Sequence, residues 1–79
     1  MQLEIVTPDK QVYKGDITSA SFPGTDGSFG ILHRHAPMVA VLKKGSIKVL
    51  EVNSKEELFF EVDGGVLEVK HDKIIVLAE

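Results

Sequence analysis

Three neighbouring residues, His33, Arg34 and His35, are the strongest candidates for chemistry in this chain of 79 residues. On an extended segment alternate side chains point to the same side, so the two imidazoles could both reach a metal ion. A third ligand would have to come from Asp26, His71 or another distant group. The guanidinium between the two histidines also disfavours a cation nearby. The pattern therefore predicts no metal site, with a zinc or nickel site as the alternative.

The segment Gly24–Gly30 carries a glycine at every third position. This spacing matches neither glycine pattern that binds phosphate groups, and no helix follows whose N-terminus could hold a phosphate. The chain has no cysteine, no serine has an evident base, and the adjacent carboxylates Glu56 and Glu57 lie at a turn and point apart. We therefore predict a tight glycine loop in a protein with no catalytic residues, no cofactor and no small-molecule substrate.

The charge balance and the lengths of the apolar stretches indicate which partners and locations this protein can have. Nine Lys and Arg stand against twelve Asp and Glu, a net charge of −3. This balance argues against nucleic acid or an anionic bilayer as a partner. The longest stretches without polar residues, Ala36–Leu42 and Ile74–Ala78, are far shorter than the ~20 residues of a membrane-spanning helix, and the N-terminus lacks the pattern of a signal peptide. We expect a soluble domain that is not exported by the usual signal.

Short runs rich in β-branched residues recur along the chain, each ended by a turn signal, and no window has the apolar spacing of an amphipathic helix. Asp63-Gly64-Gly65 predicts a tight turn because glycine tolerates positive φ. The spacing predicts one all-β domain over residues 1–79, a two-sheet antiparallel β-sandwich of about nine to ten short strands. The runs are Leu3–Val6, Gln11–Lys14, Ile17–Phe22, Ser28–Leu32, Met38–Leu42, Ser46–Val52, Glu57–Val62, Val66–Lys70 and Ile74–Ala78.

Two of these runs, Met38–Leu42 and Ile74–Ala78, are apolar on both faces. Such runs are normally buried on both sides, yet a two-layer domain of this size covers only one side of each strand. Either a strand curls into the core, or another protein covers its outer face. The pattern alone leaves both explanations open.

Several motifs occur in a fixed order along the chain. They are Leu3–Pro8, Val12–Gly15, Gly24–Leu32, His35-Ala36-Pro37, Leu42–Gly45, Gly64–Val69 and Val76–Ala78. Together they resemble the epsilon subunit of F-type ATP synthases, in which Gly-x-x-Gly-x-hydrophobic-Gly-Ile-hydrophobic runs into Pro-x-His-Ala-Pro. The resemblance covers essentially the whole chain and implies a β-sandwich of about ten strands.

The resemblance also implies a function, that of a non-catalytic rotor subunit. Such a subunit lies in the central stalk of the alpha, beta, gamma and epsilon assembly, where it fixes gamma to the membrane c-ring and couples proton or sodium flow to ATP synthesis. Membrane contact would then be made only through the c-ring, at the cytoplasmic face of the bacterial plasma membrane or an equivalent energy-coupling membrane.

By position, the resemblance assigns partner contacts to nine residues. Those toward the c-ring are Ser28, Phe29, His33, Arg34 and His35, and those toward gamma are Met38, Val39, Ala40 and Leu42. We therefore expect Val39→Asp or Leu42→Asp to weaken gamma binding more than the stability of the fold. The sequence leaves open which face of Met38–Leu42 is outward.

Two features depart from the family pattern. His33 and Arg34 stand where the family has a proline followed by a small or polar residue. Most members also continue into a two-helix C-terminal domain that restrains ATP hydrolysis, whereas this chain ends at Glu79. Inhibition by that domain and its binding of ATP therefore cannot be carried over.

Two other functions are alternatives to the rotor interpretation. A lipoyl-like carrier domain is also all-β, acidic and about this long, but it needs an Asp-Lys pair on an exposed hairpin in the middle of the chain. Asp72-Lys73 lies only six residues from the C-terminus. An unrelated β-sandwich that binds a metal through His33 and His35 is the other alternative.

Overall fold

The computed structural model describes residues 1–32 and 37–79. These residues form six β-strands and no helix. The all-β fold class predicted from the sequence is confirmed. The strands are β1 (Gln2–Val6), β2 (Gln11–Gly24), β3 (Gly27–Leu32), β4 (Met38–Glu51), β5 (Glu57–Lys70) and β6 (Lys73–Ala78).

The described residues hold six strands where nine to ten were predicted, because three pairs of predicted runs are single strands. In β2, β4 and β5 the chain continues as one strand through Gly15, Gly45 and Gly64-Gly65, which lie in the gaps between the predicted runs. The predicted tight turn at Asp63-Gly64-Gly65 is therefore wrong. Gly64 and Gly65 do have positive φ, 139° and 153°, but they bend a strand that stays paired on both sides of the bend. Glycine at these positions allows one strand to cross from one layer to the other.

The strands form one sheet in the order β1-β6-β5-β4-β2-β3, and β1 also pairs with β2. The sheet therefore closes on itself, and the two layers of the sandwich are parts of the same sheet. Among the described strands, five pairings are antiparallel and one, between β1 and β6, is parallel. The prediction of antiparallel pairing was wrong for these two strands, since both run the same way at the seam where the ends of the chain meet.

The core lies between the two layers and consists of alternate residues from all six strands. No polar or charged residue is buried among the described residues. A strand points successive side chains to opposite faces, so one apolar set fills the interior and the other faces outward. The buried residues are Leu3, Ile5, Ile17, Ala20, Phe22, Ile31, Leu42, Ile47, Val49, Val62, Leu67, Val69, Ile74, Val76 and Ala78.

Tyr13 connects β2 to the end of β4. Its hydroxyl donates a hydrogen bond to Oε2 of Glu51 at 2.6 Å, and its ring lies 4.9 Å from the ring of Phe60. Burial raises the pKa of Tyr13 to about 12, and the hydrogen bond to Glu51 and the negative charge of that carboxylate act in the same direction.

This contact predicts how the absorbance of the protein depends on pH. Tyr13 is the one tyrosine and the chain has no tryptophan, so phenolate absorbance near 295 nm reports this group alone. We expect a midpoint near pH 12 in the folded protein and near pH 10, the ordinary value, in urea. Because the folded pKa is the higher one, the contribution of Tyr13 to stability is complete below about pH 10 and is lost as the pH rises toward 12.

Glu51→Gln is the control for this titration, because it removes the charge and keeps an acceptor. We expect the midpoint of this variant to fall between the folded and unfolded values. A midpoint near 10 in the folded wild-type protein would mean that Tyr13 and Glu51 are not in contact in solution.

Candidate functional site

The first half of β4 presents two valines to the outside. Val39 is 67% exposed and Val41 56% exposed, whereas Leu42 is only 3% exposed and belongs to the core. Met38 and Ala40 lie between these extremes, half-buried against the core. The outward face of Met38–Leu42, which the sequence left open, is therefore the face of the two valines.

The prediction that Leu42 contacts a partner needs correction, because Leu42 lies in the core. The expectation that Val39→Asp and Leu42→Asp would act alike placed both side chains on one face. Residues three apart in a strand point to opposite faces, and Leu42 points inward. A partner that covers the outer face would therefore meet Val41, which the sequence reasoning missed. The signal was available, because Val41 lies two residues after Val39.

The two runs that are apolar on both faces have one buried and one outward face. In β6, Ile74, Val76 and Ala78 are buried, while Leu77 is 57% exposed and Ile75 is half-buried. Val66 of β5 is 40% exposed. Neither strand curls to bury both faces, so an apolar outer face is left on β4, β5 and β6 of this chain.

The hairpin between β2 and β3 holds Ser28 and Phe29, two of the predicted c-ring contacts. Gly24 pairs with Gly27 across a two-residue turn, and Gly27 has a φ of 124°. The ring of Phe29 is half-buried and lies 5.8 Å from the core ring of Phe22, whereas Ser28 is exposed. Phe29 therefore fixes the hairpin to the core, and Ser28 is accessible to a partner.

A groove of about 390 Å³ separates this hairpin from the first half of β4. Thr25 N–H donates to the carbonyl of Val41 at 3.1 Å and holds the two sides together. The structure thus brings Phe29 beside Met38, Val39 and Ala40, which the sequence assigned to two different partners. The groove is lined by Gly24, Thr25, Asp26, Gly27, Phe29, Met38, Val39, Ala40 and Val41.

The remaining predicted residues, His33, Arg34 and His35, lie outside the described part of the chain. Their assignment to the c-ring and the alternative of a metal site at the two histidines stay predictions. Among residues 1–32 and 37–79, no group of three His, Cys, Asp or Glu side chains is placed to hold a metal ion. The same residues include no helix long and apolar enough to cross a membrane.

Comparison with known sequences gives a match over the whole chain. The family described as the ATP synthase delta/epsilon chain β-sandwich domain matches residues 1–79. The ATP synthase epsilon chain of Chlorobium limicola is 44% identical over 99% of this chain and 88% of its own length. The epsilon chain of Campylobacter jejuni is 43% identical over 100% of this chain but 60% of its own length. That of Halorhodospira halophila is 37% identical, again over 100% of this chain, and matches over 56% of its own length. The chain therefore spans little more than half of the longer relatives.

Two solved assemblies contain chains of similar fold. One is the mitochondrial ATP synthase of Euglena gracilis, described as OSCP/F1/c-ring, with a TM-score of 0.87 and 19% identity over 96% of this chain and 48% of that one. The other is the central stalk and c-ring of the Tetrahymena thermophila mitochondrial ATP synthase, with a TM-score of 0.75 and 22% identity over 98% of this chain and 63% of that one. At 19% and 22% sequence identity, this structural similarity shows the fold alone.

Proposed function

Because the chain belongs to the ATP synthase delta/epsilon chain family and matches its β-sandwich domain from residue 1 to 79, we propose that it is a rotor subunit that links gamma to the c-ring. The match over the whole chain is the observation that carries this proposal. It disfavours a lipoyl-like carrier, for which Asp72-Lys73 was the only candidate attachment site. The subunit would couple ion flow through the ring to ATP synthesis.

In this proposal the subunit catalyses no reaction and acts mechanically. Five of the described strands form a closed ring, and β3 pairs with β2 at its edge. This sheet, with its continuous apolar core, resists shear because sliding one strand would break its ladder and repack the core. Such a body can transmit force between two partners that hold different parts of its surface. Attachment to the membrane would be peripheral, through the c-ring at the cytoplasmic face.

The proposed contact surfaces lie on the two sides of the groove. Val39 and Val41 offer an apolar surface to gamma on one side, with Met38 and Ala40 half-buried behind them. On the other side, the exposed Ser28 on its hairpin is proposed to meet the c-ring. Phe29 would support that hairpin through its contact with Phe22. Leu42 supports the gamma surface from the core and would not touch gamma.

The test of this function is whether the chain recovers gamma and c subunits from native membranes. Recovery of the folded chain without gamma or c subunits would contradict the proposed function.

A further inference from the structure

Pro23, near the end of β2, lies directly on the backbone of β4. The proline is buried, and a Cβ added at Gly45 would be only 2.8 Å from Cβ and 3.2 Å from Cγ of its ring. The ladder between β2 and β4 is irregular at this point, between Ser21 and Gly24. Because proline lacks the N–H that a ladder needs, the contact between its ring and Gly45 holds the two strands together where the regular ladder is interrupted.

Two backbone contacts continue this attachment into the turn between β2 and β3. Gly24 pairs with Leu42, and the N–H of Thr25 donates to the carbonyl oxygen of Val41 at 3.1 Å. Together with the proline contact, they attach the turn end of the hairpin to β4 at residues 23, 24 and 25. We name these three contacts the hairpin clamp.

We propose that the hairpin clamp sets the position of the β2–β3 hairpin relative to β4, and that Gly45 and Pro23 are positioning residues for the linkage between gamma and the c-ring. This inference rests on the proposed function, in which Val41 meets gamma and Ser28 meets the c-ring. Ser28 pairs with Pro23, and Val41 accepts the hydrogen bond from Thr25. Both proposed partner surfaces are therefore attached directly to the clamp.

The clamp is suited to transmit force because none of its contacts depends on a long, freely rotating side chain. The proline ring fixes φ, Gly45 has no side chain, and the other two contacts join backbone to backbone. Within the hairpin, a Cβ at Gly24 would lie 2.8 Å from Cε1 of Phe29, whose ring contacts the core ring of Phe22. A displaced hairpin would therefore have to move β4 or break the clamp.

The experiment measures the affinity of purified gamma for the isolated c-ring in detergent, with and without the full 79-residue chain. The wild-type chain should raise this affinity by about tenfold or more, because a body that holds both partners makes the second contact intramolecular. Gly45→Ala would push the proline ring away from β4 and misplace the hairpin. We expect this variant to lose most of that gain in affinity, while its own affinity for gamma stays within about twofold of wild type.

Gly30→Ala is the matched control, because it adds the same methyl group to the same hairpin at 3.7 Å from the nearest atom and should keep the whole gain. Gly45→Ala combined with Pro23→Gly tests the contact itself, since it moves the glycine to the other side of the contact and removes the clash. We expect this double variant to recover the gain that Gly45→Ala loses. Pro23→Ala keeps Cβ but loses the ring, so it should also lower the gain, and it serves if Gly45→Ala does not fold.

The same measurements separate this inference from the proposed function. If Gly45→Ala, folded by thermal melting, binds gamma and gives the full gain, the clamp does not position the hairpin and the inference is wrong although the function stands. A loss that the double variant does not recover, or a loss of gamma binding by folded Gly45→Ala, would also overturn it. If the wild-type chain does not bind gamma or gives no gain, the proposed function itself fails.

Discussion

Leu42→Asp is expected to unfold most of the protein at room temperature. Leu42 is 3% exposed within the continuous core, and no described charged residue is buried there to pair with a carboxylate. The substitution loses about 2–3 kcal/mol of apolar burial and adds several kcal/mol for an unpaired buried charge. A chain of this length has a total stability of only about 4–12 kcal/mol.

Urea unfolding followed by circular dichroism measures this effect. Val41→Asp is the control, because it changes the preceding residue of the same strand but on the outward face. We expect it to cost no more than about 1 kcal/mol, the span of strand propensities. A Leu42→Asp protein with wild-type stability would show that Leu42 faces outward, and the interior described for β4 would be wrong.

Of the possible Gly→Ala substitutions, Gly65→Ala is expected to destabilise the protein most. A Cβ at Gly65 would lie 2.4 Å from the carbonyl oxygen of Leu77 and 3.0 Å from Cα of Ala78, both backbone atoms of β6. The φ of 153° also lies in a region that side chains rarely adopt. Backbone strain at residue 65 and the shift of the paired strand β6 should together lower the free energy of unfolding by about 3 kcal/mol or more.

Two glycines of the β2–β3 hairpin are matched controls for Gly65→Ala. Gly30→Ala would place its Cβ 3.7 Å from the nearest atom, the carbonyl oxygen of Ala20, and should change the free energy of unfolding by less than about 1 kcal/mol. Gly27→Ala meets nothing within 4 Å but has a φ of 124°, so it reports backbone strain alone, about 1–2 kcal/mol. If Gly65→Ala costs no more than Gly27→Ala, β5 and β6 are not packed together as described.

The positions of the strands could be predicted from the sequence, because alternation and β-branched residues are local signals. The continuity of the strands could not. Gly45 signals a break, yet a Cβ there would lie 2.8 Å from Cβ of Pro23, so the glycine allows β2 and β4 to approach each other. Whether a glycine ends a strand or bends it depends on the neighbour that it meets, which is a property of the folded chain.

The candidate site could be predicted only in part, again because local patterns are visible in the sequence and contacts between strands are not. The assignment of Met38–Leu42 to a partner surface came from the family resemblance, because the apolar pattern alone left open whether this strand is covered by the core or by another protein. Val39 is exposed in the structure. Leu42 was placed with Val39 although the period of two already separated them. Val66 and Leu77 could not be placed beside Val41, because their pairing depends on the register of β4, β5 and β6.

Affinity purification of the tagged chain from detergent-solubilised native membranes, followed by mass spectrometry of the recovered proteins, tests whether the chain links gamma to the c-ring. If the chain links gamma to the c-ring, gamma, alpha, beta and c subunits should be recovered in the proportions of one assembly, and the tag alone should recover none. If the chain is recovered as a folded monomer without gamma or c subunits, it is not a rotor subunit.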